Sequence, residues 1–374
     1  MEKIEAKNKF VIKFANVNGS GSASANQLFA KGIFRSGITV SPKNIFPSNI
    51  QGLPTWFEVR VSERGYQGRR EKIDIMIAMN PQSYSQDVEE INSGGYLLYD
   101  SSWKRDFGRT DINVLEIPLT RLCLKEFSNS KQRFLFKNIV YVGALSSLLG
   151  IEKNIYEVLI EEQFKGKEKL IQPNVKALNL GFNYAEKNLK DKCGIKVEKS
   201  NKTDGMILTS GNDAAGLGCL YGGATVCAWY PITPSTSLAE SFTSYCEKLR
   251  IESKSDKNKF AIIQAEDELA AIGMAIGANW NGARGFTATS GPGISLMSEF
   301  LGLAYFAEIP LVVFDIQRGG PSTGMPTRTQ QSDVLTCAYA SHGDTKHVLL
   351  IPSTPKECFD FSVEAFDLAD KIQT

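Results

Sequence analysis

Tyr230-Pro231-Ile232-Thr233-Pro234 decides how the second half of this 374-residue chain is read. It follows an apolar run, Thr225 to Trp229, that reads as a strand, and it precedes a helical run from Ser235 to Arg250. The two prolines set φ at two of the five positions and remove two backbone donors, so Thr233 is held in a stiff turn with its hydroxyl free. Strand, turn and helix make one repeat of an open parallel α/β sheet, and such sheets collect ligands beyond the carboxyl ends of their strands. Thr233 is expected there. The same five residues would serve equally as a plain proline-capped turn, so a function depends on what else reaches that edge.

The alternation continues downstream. Strand Phe260 to Gln264 leads into a helix that starts near Glu266. Strand Gly285 to Thr289 leads through the turn Ser290-Gly291-Pro292-Gly293 into a helix ending near Ala307. Strand Leu311 to Ile316 runs into the loop Arg318-Gly319-Gly320-Pro321-Ser322-Thr323-Gly324. A last strand, His347 to Ile351, and a helix from Pro355 to Lys371 follow, and a helix Asp213 to Tyr221, with Asn212 as its expected cap, comes before the opening turn. Thr233, Glu266 to Glu268, Ser290 and Arg318 therefore all fall at the same ends of parallel strands. Arg318, in a glycine-rich loop that lets a substrate come close, suits a carboxylate held by two parallel hydrogen bonds. Glu266, Asp267 and Glu268 sit at a helix N-terminus, where the dipole favours negative charge, and capping alone would account for them. The small and apolar residues Leu269 to Gly273 that follow place this first turn in the core, so one carboxylate is expected to face the crevice, where a buried charge needs a partner.

In the first half, strand Phe10 to Ala15, the turn Asn18-Gly19-Ser20-Gly21-Ser22 and a helix from Ala23 to Ile33 form the arrangement that surrounds an anion with backbone N–H groups. Only two glycines stand where a dinucleotide fingerprint has three, and Thr39 to Lys43 offers no acidic ribose ligand, so a plain tight turn fits as well. The loop Asn44 to Pro54 mixes Asn, Ser, Pro and Gly with large apolar residues and is expected to pack against something. Strands are read at Trp56 to Val61, Ile73 to Met79 and Tyr96 to Tyr99, and helices at Lys137 to Leu149, Asn154 to Phe164 and Val175 to Asn188. Residues 1–190 thus read as one α/β domain, the polar, lysine-rich stretch 191–205 as a linker, and 206–374 as a second domain.

Composition narrows the function classes. With 42% hydrophobic and 22% charged residues and a net charge of +1, nothing favours a general nucleic-acid surface. Met1 to Lys9 is charged and shows no signal peptide, and the most apolar region, around Leu301 to Phe314, is interrupted by Glu308 and Pro310, so no membrane span is expected. Seven cysteines lie scattered without a C-x-x-C pair, beside only two histidines, His342 and His347. That pattern argues against metal or iron–sulfur ligation by this chain and fits a reducing cytoplasm.

Four motifs, Tyr230 to Pro234, Glu266-Asp267-Glu268-Leu269-Ala270-Ala271-Ile272-Gly273, Thr287 to Gly293 and Gln317 to Gly324, stand in the order found in the pyrimidine-binding domain of 2-oxoacid:ferredoxin oxidoreductases, which this half resembles. The first half resembles the family's γ domain, including the Gly19 to Ser22 turn and the Phe46 to Pro54 loop. A γ domain fused ahead of α is the arrangement of the large subunit in two-subunit enzymes, often of the 2-oxoglutarate type. The resemblance implies an α/β fold in which a Rossmann-like γ domain precedes a parallel domain of the thiamine-diphosphate-binding type. It implies thiamine diphosphate as cofactor, oxidative decarboxylation of a 2-oxoacid, coenzyme A as co-substrate and ferredoxin or flavodoxin as acceptor.

In that family a glutamate hydrogen-bonds the pyrimidine ring, and the motif position, a carboxylate followed five residues later by glycine, assigns this role to Glu268. The family's substrate threonine maps onto Thr233 and its carboxylate-binding arginine onto Arg318, with Tyr230, Pro231, Ile232, Ser290 and Gly291 beside the cofactor. Mg2+ and a 4Fe-4S cluster are expected on a β subunit, whose motifs are absent here, so the chain alone is expected to be inactive. The loop after Arg318 inclines the resemblance to 2-oxoglutarate over pyruvate or branched-chain and aryl oxoacids, and a further domain is expected beyond Thr374. A non-catalytic assembly subunit is the alternative, and the joint presence of Thr233, Glu268 and Arg318 speaks against it.

Overall fold

Lys9–Val17, an almost wholly buried strand, lies inside the sheet of the first of two units in the computed structural model, which describes residues 3–47, 52–250 and 258–374. The units are Met1–Leu208 and Thr209–Thr374.

Unit 1 contains β1 (Ala6–Lys7), β2 (Lys9–Val17), α1 (Ser22–Arg35), β3 (Val40–Ile45), β4 (Pro54–Ser62), β5 (Ile73–Ala78), α2 (Tyr84–Glu89), β6 (Ile91–Asp100), β7 (Asn113–Ile117), α3 (Leu119–Glu126), α4 (Ser130–Leu149), α5 (Lys153–Gln163), α6 (Ile171–Asn188) and β8 (Ile195–Lys196). The main sheet has the order β3-β4-β2-β5-β6-β7. From β2 through β7 it is parallel, whereas β4 runs antiparallel to both β2 and β3. The parallel half is the Rossmann-like part, and the antiparallel edge arises because β3 and β4 are joined by a connection too short for a crossover. Part of that connection, residues 48–51 of the expected Asn44 to Pro54 loop, lies outside the described residues. β5 is buried at every position, as a strand covered on both faces must be, and its run Ile-Asp-Ile-Met-Ile-Ala is apolar except for Asp74. α4 and α6 pack backbone to backbone because each carries a glycine at the crossing: a Cβ on Gly143 would lie 2.0 Å from Leu178 O, and one on Gly181 1.8 Å from Val140 O.

The stretch 191–205, expected as a linker, is instead part of this unit. Cys193, Ile195 and Val197 are buried, and β8 pairs in parallel with β1. Ser200 N and Lys202 N donate to Ser36 O and Gly37 O at 2.9 and 3.0 Å, and Thr203 Oγ1 to Phe34 O at 2.7 Å. Three apolar side chains at alternate positions among the lysines are a strand pattern that the polar composition masks.

Unit 2 contains α7 (Gly211–Tyr221), β9 (Val226–Trp229), α8 (Thr236–Leu249), β10 (Ala261–Gln264), α9 (Glu268–Trp280), β11 (Gly285–Thr289), α10 (Gly291–Phe306), β12 (Val312–Asp315), α11 (Val334–Ala338) and α12 (Pro355–Ile372). Its sheet is parallel throughout, in the order β10-β9-β11-β12. Phe286 on the central strand β11 anchors one face, edge to face with Phe242 of α8, Phe314 of β12 and Phe366 of α12 at 5.0, 5.5 and 6.1 Å. A second cluster joins α9 and α10 through Ala271, Ile272, Ile276 and Met297.

Three sequence expectations are corrected in this unit. The strand expected at His347 to Ile351 does not form, because extended propensity makes a strand only beside a hydrogen-bonding neighbour; His347 N donates to Ala338 O instead. The turn expected at Ser290 to Gly293 is already the first turn of α10. The cap of α7 is Ser210, whose Oγ accepts from Asp213 N at 3.1 Å, and not Asn212. Among the described residues no helix is long and apolar enough to cross a membrane.

Candidate functional site

All four strands of unit 2 end at one edge, and the turns that leave them carry the expected site residues. After β9, Ser235 N and Oγ both donate to Ile232 O, at 2.8 and 2.9 Å, and close the Tyr230 to Pro234 turn, whose Thr233–Pro234 peptide is cis. Thr233 and Pro231 are exposed, and Tyr230 and Ile232 half-buried. After β12 the chain reaches Arg318, only 6% exposed, whose Nη1 donates to Thr233 O at 2.9 Å. Arg318 and Thr233 are therefore bonded to each other, through a guanidinium arm that the sequence reading left entirely to substrate. Desolvation pulls the Arg318 pKa below the usual guanidinium value, and the charge of Glu268 acts in the opposite direction.

The three adjacent carboxylates have separate fates. Glu266 is exposed, and Asp267 caps α9 through Oδ1, which accepts from Ala270 N at 2.7 Å. Glu268, one residue into the helix, turns inward beside Ala271 and Ile272 and is 7% exposed. Room for it comes from Gly293, where a Cβ would lie 3.0 Å from Glu268 Cγ and 1.8 Å from Thr289 Oγ1. Ser290, at the N-cap of α10, is fully buried, and its hydroxyl makes no capping bond.

Nine buried side-chain polar atoms lack a partner among the described residues, and six of them lie on β11 or where β11 and β12 end: Thr287 Oγ1, Thr289 Oγ1, Ser290 Oγ, Asp315 Oδ1, Arg318 Nε and Asp333 Oδ2. Folded chains satisfy nearly all such atoms, so this concentration points to a group that binds here.

Sequence reading gave no role to Asp315, Asp333 and Cys337, and quoted Gln317 only as part of a motif. Gln317 Oε1 accepts from Ser332 N and Asp333 N at 3.0 and 3.1 Å and so closes the loop that begins at Arg318. The Asp333 carboxylate approaches α10, 2.7 Å from where a Cβ of Gly291 would stand. Burial, and then the Asp333 charge, push the Asp315 carboxyl up to about 6, while Cys337 Sγ donates to Asp315 Oδ2 at 3.5 Å. Burial pushes that thiol up to about 12. The available signal was the parallel register, which sets Thr289 beside Asp315.

Residues 11–184 match the family model described as "Pyruvate ferredoxin/flavodoxin oxidoreductase", and residues 217–374 match "Pyruvate flavodoxin/ferredoxin oxidoreductase, thiamine diP-bdg". Over 402 residues the chain is 31% identical to the 2-oxoacid:ferredoxin oxidoreductase 2 alpha subunit of Aeropyrum pernix, covering 95% of this chain and 62% of that one. The chain belongs to the 2-oxoacid:ferredoxin oxidoreductase alpha-subunit family. Within it, 163 residues are 47% identical to the 2-oxoglutarate synthase subunit KorA of Methanothermobacter thermautotrophicus, or 44% of this chain and 41% of that one. The solved 2-oxoglutarate:ferredoxin oxidoreductase of Magnetococcus marinus, with 2-oxoglutarate, coenzyme A and succinyl-CoA bound, superposes with a TM-score of 0.88 at 32% identity, over 98% of this chain and 62% of that one. The chain thus spans less than two thirds of the length of these alpha-subunit relatives.

Proposed function

We propose that this chain is the γ–α subunit of a 2-oxoacid:ferredoxin oxidoreductase that decarboxylates a 2-oxoacid, 2-oxoglutarate first among them, with coenzyme A, to acyl-CoA and CO2. Electrons pass to ferredoxin, and a β subunit supplies Mg2+, the 4Fe-4S cluster and the second half of the site. A cytoplasmic location belongs to the same reading and is in keeping with seven free cysteines.

One observation carries it: a buried glutamate, an arginine joined to an exposed threonine, and unpartnered hydroxyls converge on the carboxyl edge of a parallel sheet. The fit to an aminopyrimidine is chemical. The ring is flat, with nitrogens that take and give hydrogen bonds, and this edge has a buried carboxylate and hydroxyls without partners, with Gly293 leaving room for the Glu268 side chain. Thiamine diphosphate, when bound, supplies the carbon nucleophile and the electron sink for decarboxylation. Glu268 holds a proton at a ring nitrogen. Ser290 and Gly291, with Tyr230, Pro231 and Ile232, line the ring. Thr233 donates to the 2-oxoacid, and Arg318 balances its carboxylate from a nearly dry position, where charge counts for more than in water. The likeness to 2-oxoglutarate relatives favours 2-oxoglutarate over pyruvate.

The test is to assemble the chain with a candidate β subunit and to measure coenzyme A-dependent reduction of a viologen dye with several 2-oxoacids. Reduction is expected with 2-oxoglutarate. A stable, cofactor-loaded complex that reduces no dye with any 2-oxoacid would overturn the reading.

A further inference from the structure

Asn212 stands in the first turn of α7, yet its amide takes no part in capping that helix, which Ser210 does. Its Nδ2 reaches across to the turn after β9 and donates to Pro234 O at 3.0 Å and to Ser237 Oγ at 2.8 Å. Pro234 directly follows Thr233, whose own carbonyl receives Arg318 Nη1 at 2.9 Å. Thr233 is thus flanked by two side-chain anchors on consecutive carbonyls, an amide from one side and a guanidinium from the other. Its two prolines have no N–H, so the turn is closed from the residues that follow: Ser235 N and Oγ and Thr236 N donate to Ile232 O, and Ser237 Oγ reaches Pro234 O at 3.5 Å.

We propose that Asn212 is a positioning residue for the 2-oxoacid. It fixes the Pro234 carbonyl and the start of α8, so that the Thr233 hydroxyl and the Arg318 guanidinium face the substrate in one geometry. This rests on the function proposed above. It acts without touching substrate, because its bonds go to Pro234 O in the turn and to Ser237 Oγ in the first turn of α8. The docking of α7 on α8 does not depend on it, since Asp213 Oδ1 accepts from Ser241 Oγ and Gly216 packs against the α8 backbone, where a Cβ would meet Phe242 N at 2.9 Å. Losing the amide therefore loosens the turn and leaves the helix pair in place.

Asn212→Asp separates this role from a structural one. The shape is kept, the bond to Pro234 O is lost while the Ser237 hydroxyl can turn to donate to the new carboxylate, and the negative charge lies at a helix N-terminus, where it stabilises. In the enzyme assembled with its β subunit, KM for the 2-oxoacid is expected to rise roughly tenfold or more, because small misplacements of positioning groups are costly. KM for coenzyme A and the melting temperature should hold, and Asn212→Ala should behave alike. Hydrogen exchange at the amides of residues 235–238 should quicken in both variants. A purely structural role predicts the reverse, a lower melting temperature at unchanged KM, and that outcome overturns the proposal, as does unaltered exchange. If the wild-type assembly turns over no 2-oxoacid, the proposed function falls and the catalytic role of Asn212 with it, and quickened exchange would still identify the tether.

Discussion

The two units handle buried polar groups in opposite ways. In unit 1 most are satisfied from within, Ser20 Oγ, Arg133 Nε and Asn179 Oδ1 being the exceptions among the described residues: Asp74 on β5 accepts from Val11 N and Asn92 Nδ2 at 2.8 and 2.7 Å, and Asp87 accepts from Trp56 Nε1 and Ser83 Oγ, both at 2.7 Å. In unit 2 a comparable set at the ends of β11 and β12 is left without partners. Glycines are required for two different reasons, φ and room. Gly19 and Gly21, ahead of α1, adopt φ of 82° and 73°, a backbone state that only glycine enters cheaply. Gly293 has ordinary φ and is required by what stands beside it, Thr289 and Glu268. Gly19 and Gly21 thus serve the path of the chain, and Gly293 seats the Thr289 and Glu268 side chains. Loss of a satisfied polar group in unit 1 should therefore appear as stability, and loss of an unpartnered one in unit 2 as function.

The largest effect expected is at Glu268. Glu268→Gln should abolish proton exchange at the reactive carbon of bound thiamine diphosphate and lower kcat by roughly a thousandfold, within the range of a lost acid–base group, while circular dichroism stays unchanged. Normal exchange of the cofactor proton, read by NMR, would remove Glu268 from the site.

Next comes the glycine pair. Gly293→Ala should cost about 2–3 kcal/mol through overpacking, and a second change, Thr289→Ala, should restore much of it, because the clash is with that side chain. Gly150→Ala in unit 1, at φ of 76° and with no neighbour closer than 4.0 Å to the new Cβ, should cost about 1–2 kcal/mol through backbone strain. If Thr289→Ala gives no rescue in denaturant titrations of the double variant, the distinction between room and φ fails.

Asp315 gives a pH dependence. Its carboxyl, raised to about 6 from 3.8 by burial, binds its proton more tightly folded than unfolded. Stability is therefore greatest below pH 4 for this group and falls as pH rises towards 6, by on the order of 1–2 kcal/mol after allowance for solvent screening. Asp315→Asn should flatten the curve between those limits, and an unaltered curve would show that Asp315 does not titrate there.

The smallest effect on stability is expected for Ser290→Ala. Its hydroxyl has no partner to lose, so the melting temperature should hold while cofactor affinity drops. Asp87→Ala in unit 1, by contrast, leaves the Trp56 Nε1 donor unpaired, Ser83 Oγ keeping Asn80 O, and should cost about 1–3 kcal/mol. Equal losses of stability in the two variants would break the comparison between the units.

Much of unit 2 was legible because parallel strands with crossover helices write themselves as alternating apolar runs and punctuated turns. β9 to β12 fall within a residue or two of the expected runs. Unit 1 was harder. β7 alternates buried and exposed positions over five residues between polar flanks, and β8 is two residues long within a lysine-rich stretch, so neither rises above its surroundings. The strand expected at His347 to Ile351 shows the converse, a run with the right composition and no neighbour to pair with.

From its sequence alone the chain was determined to be α/β, to bring Thr233, Glu268, Ser290 and Arg318 to one edge of a parallel sheet, and to carry the motifs of a thiamine-dependent family. Those properties follow from period, turn chemistry and spacing, all local along the chain. Tertiary structure alone decided that Arg318 spends an arm on Thr233 at a separation of 85 residues, and that Asn212 ties a turn 22 residues away rather than capping its own helix. Each of these is a choice among chemically equivalent groups, and it is made by contacts between segments that meet only once the sheet has formed.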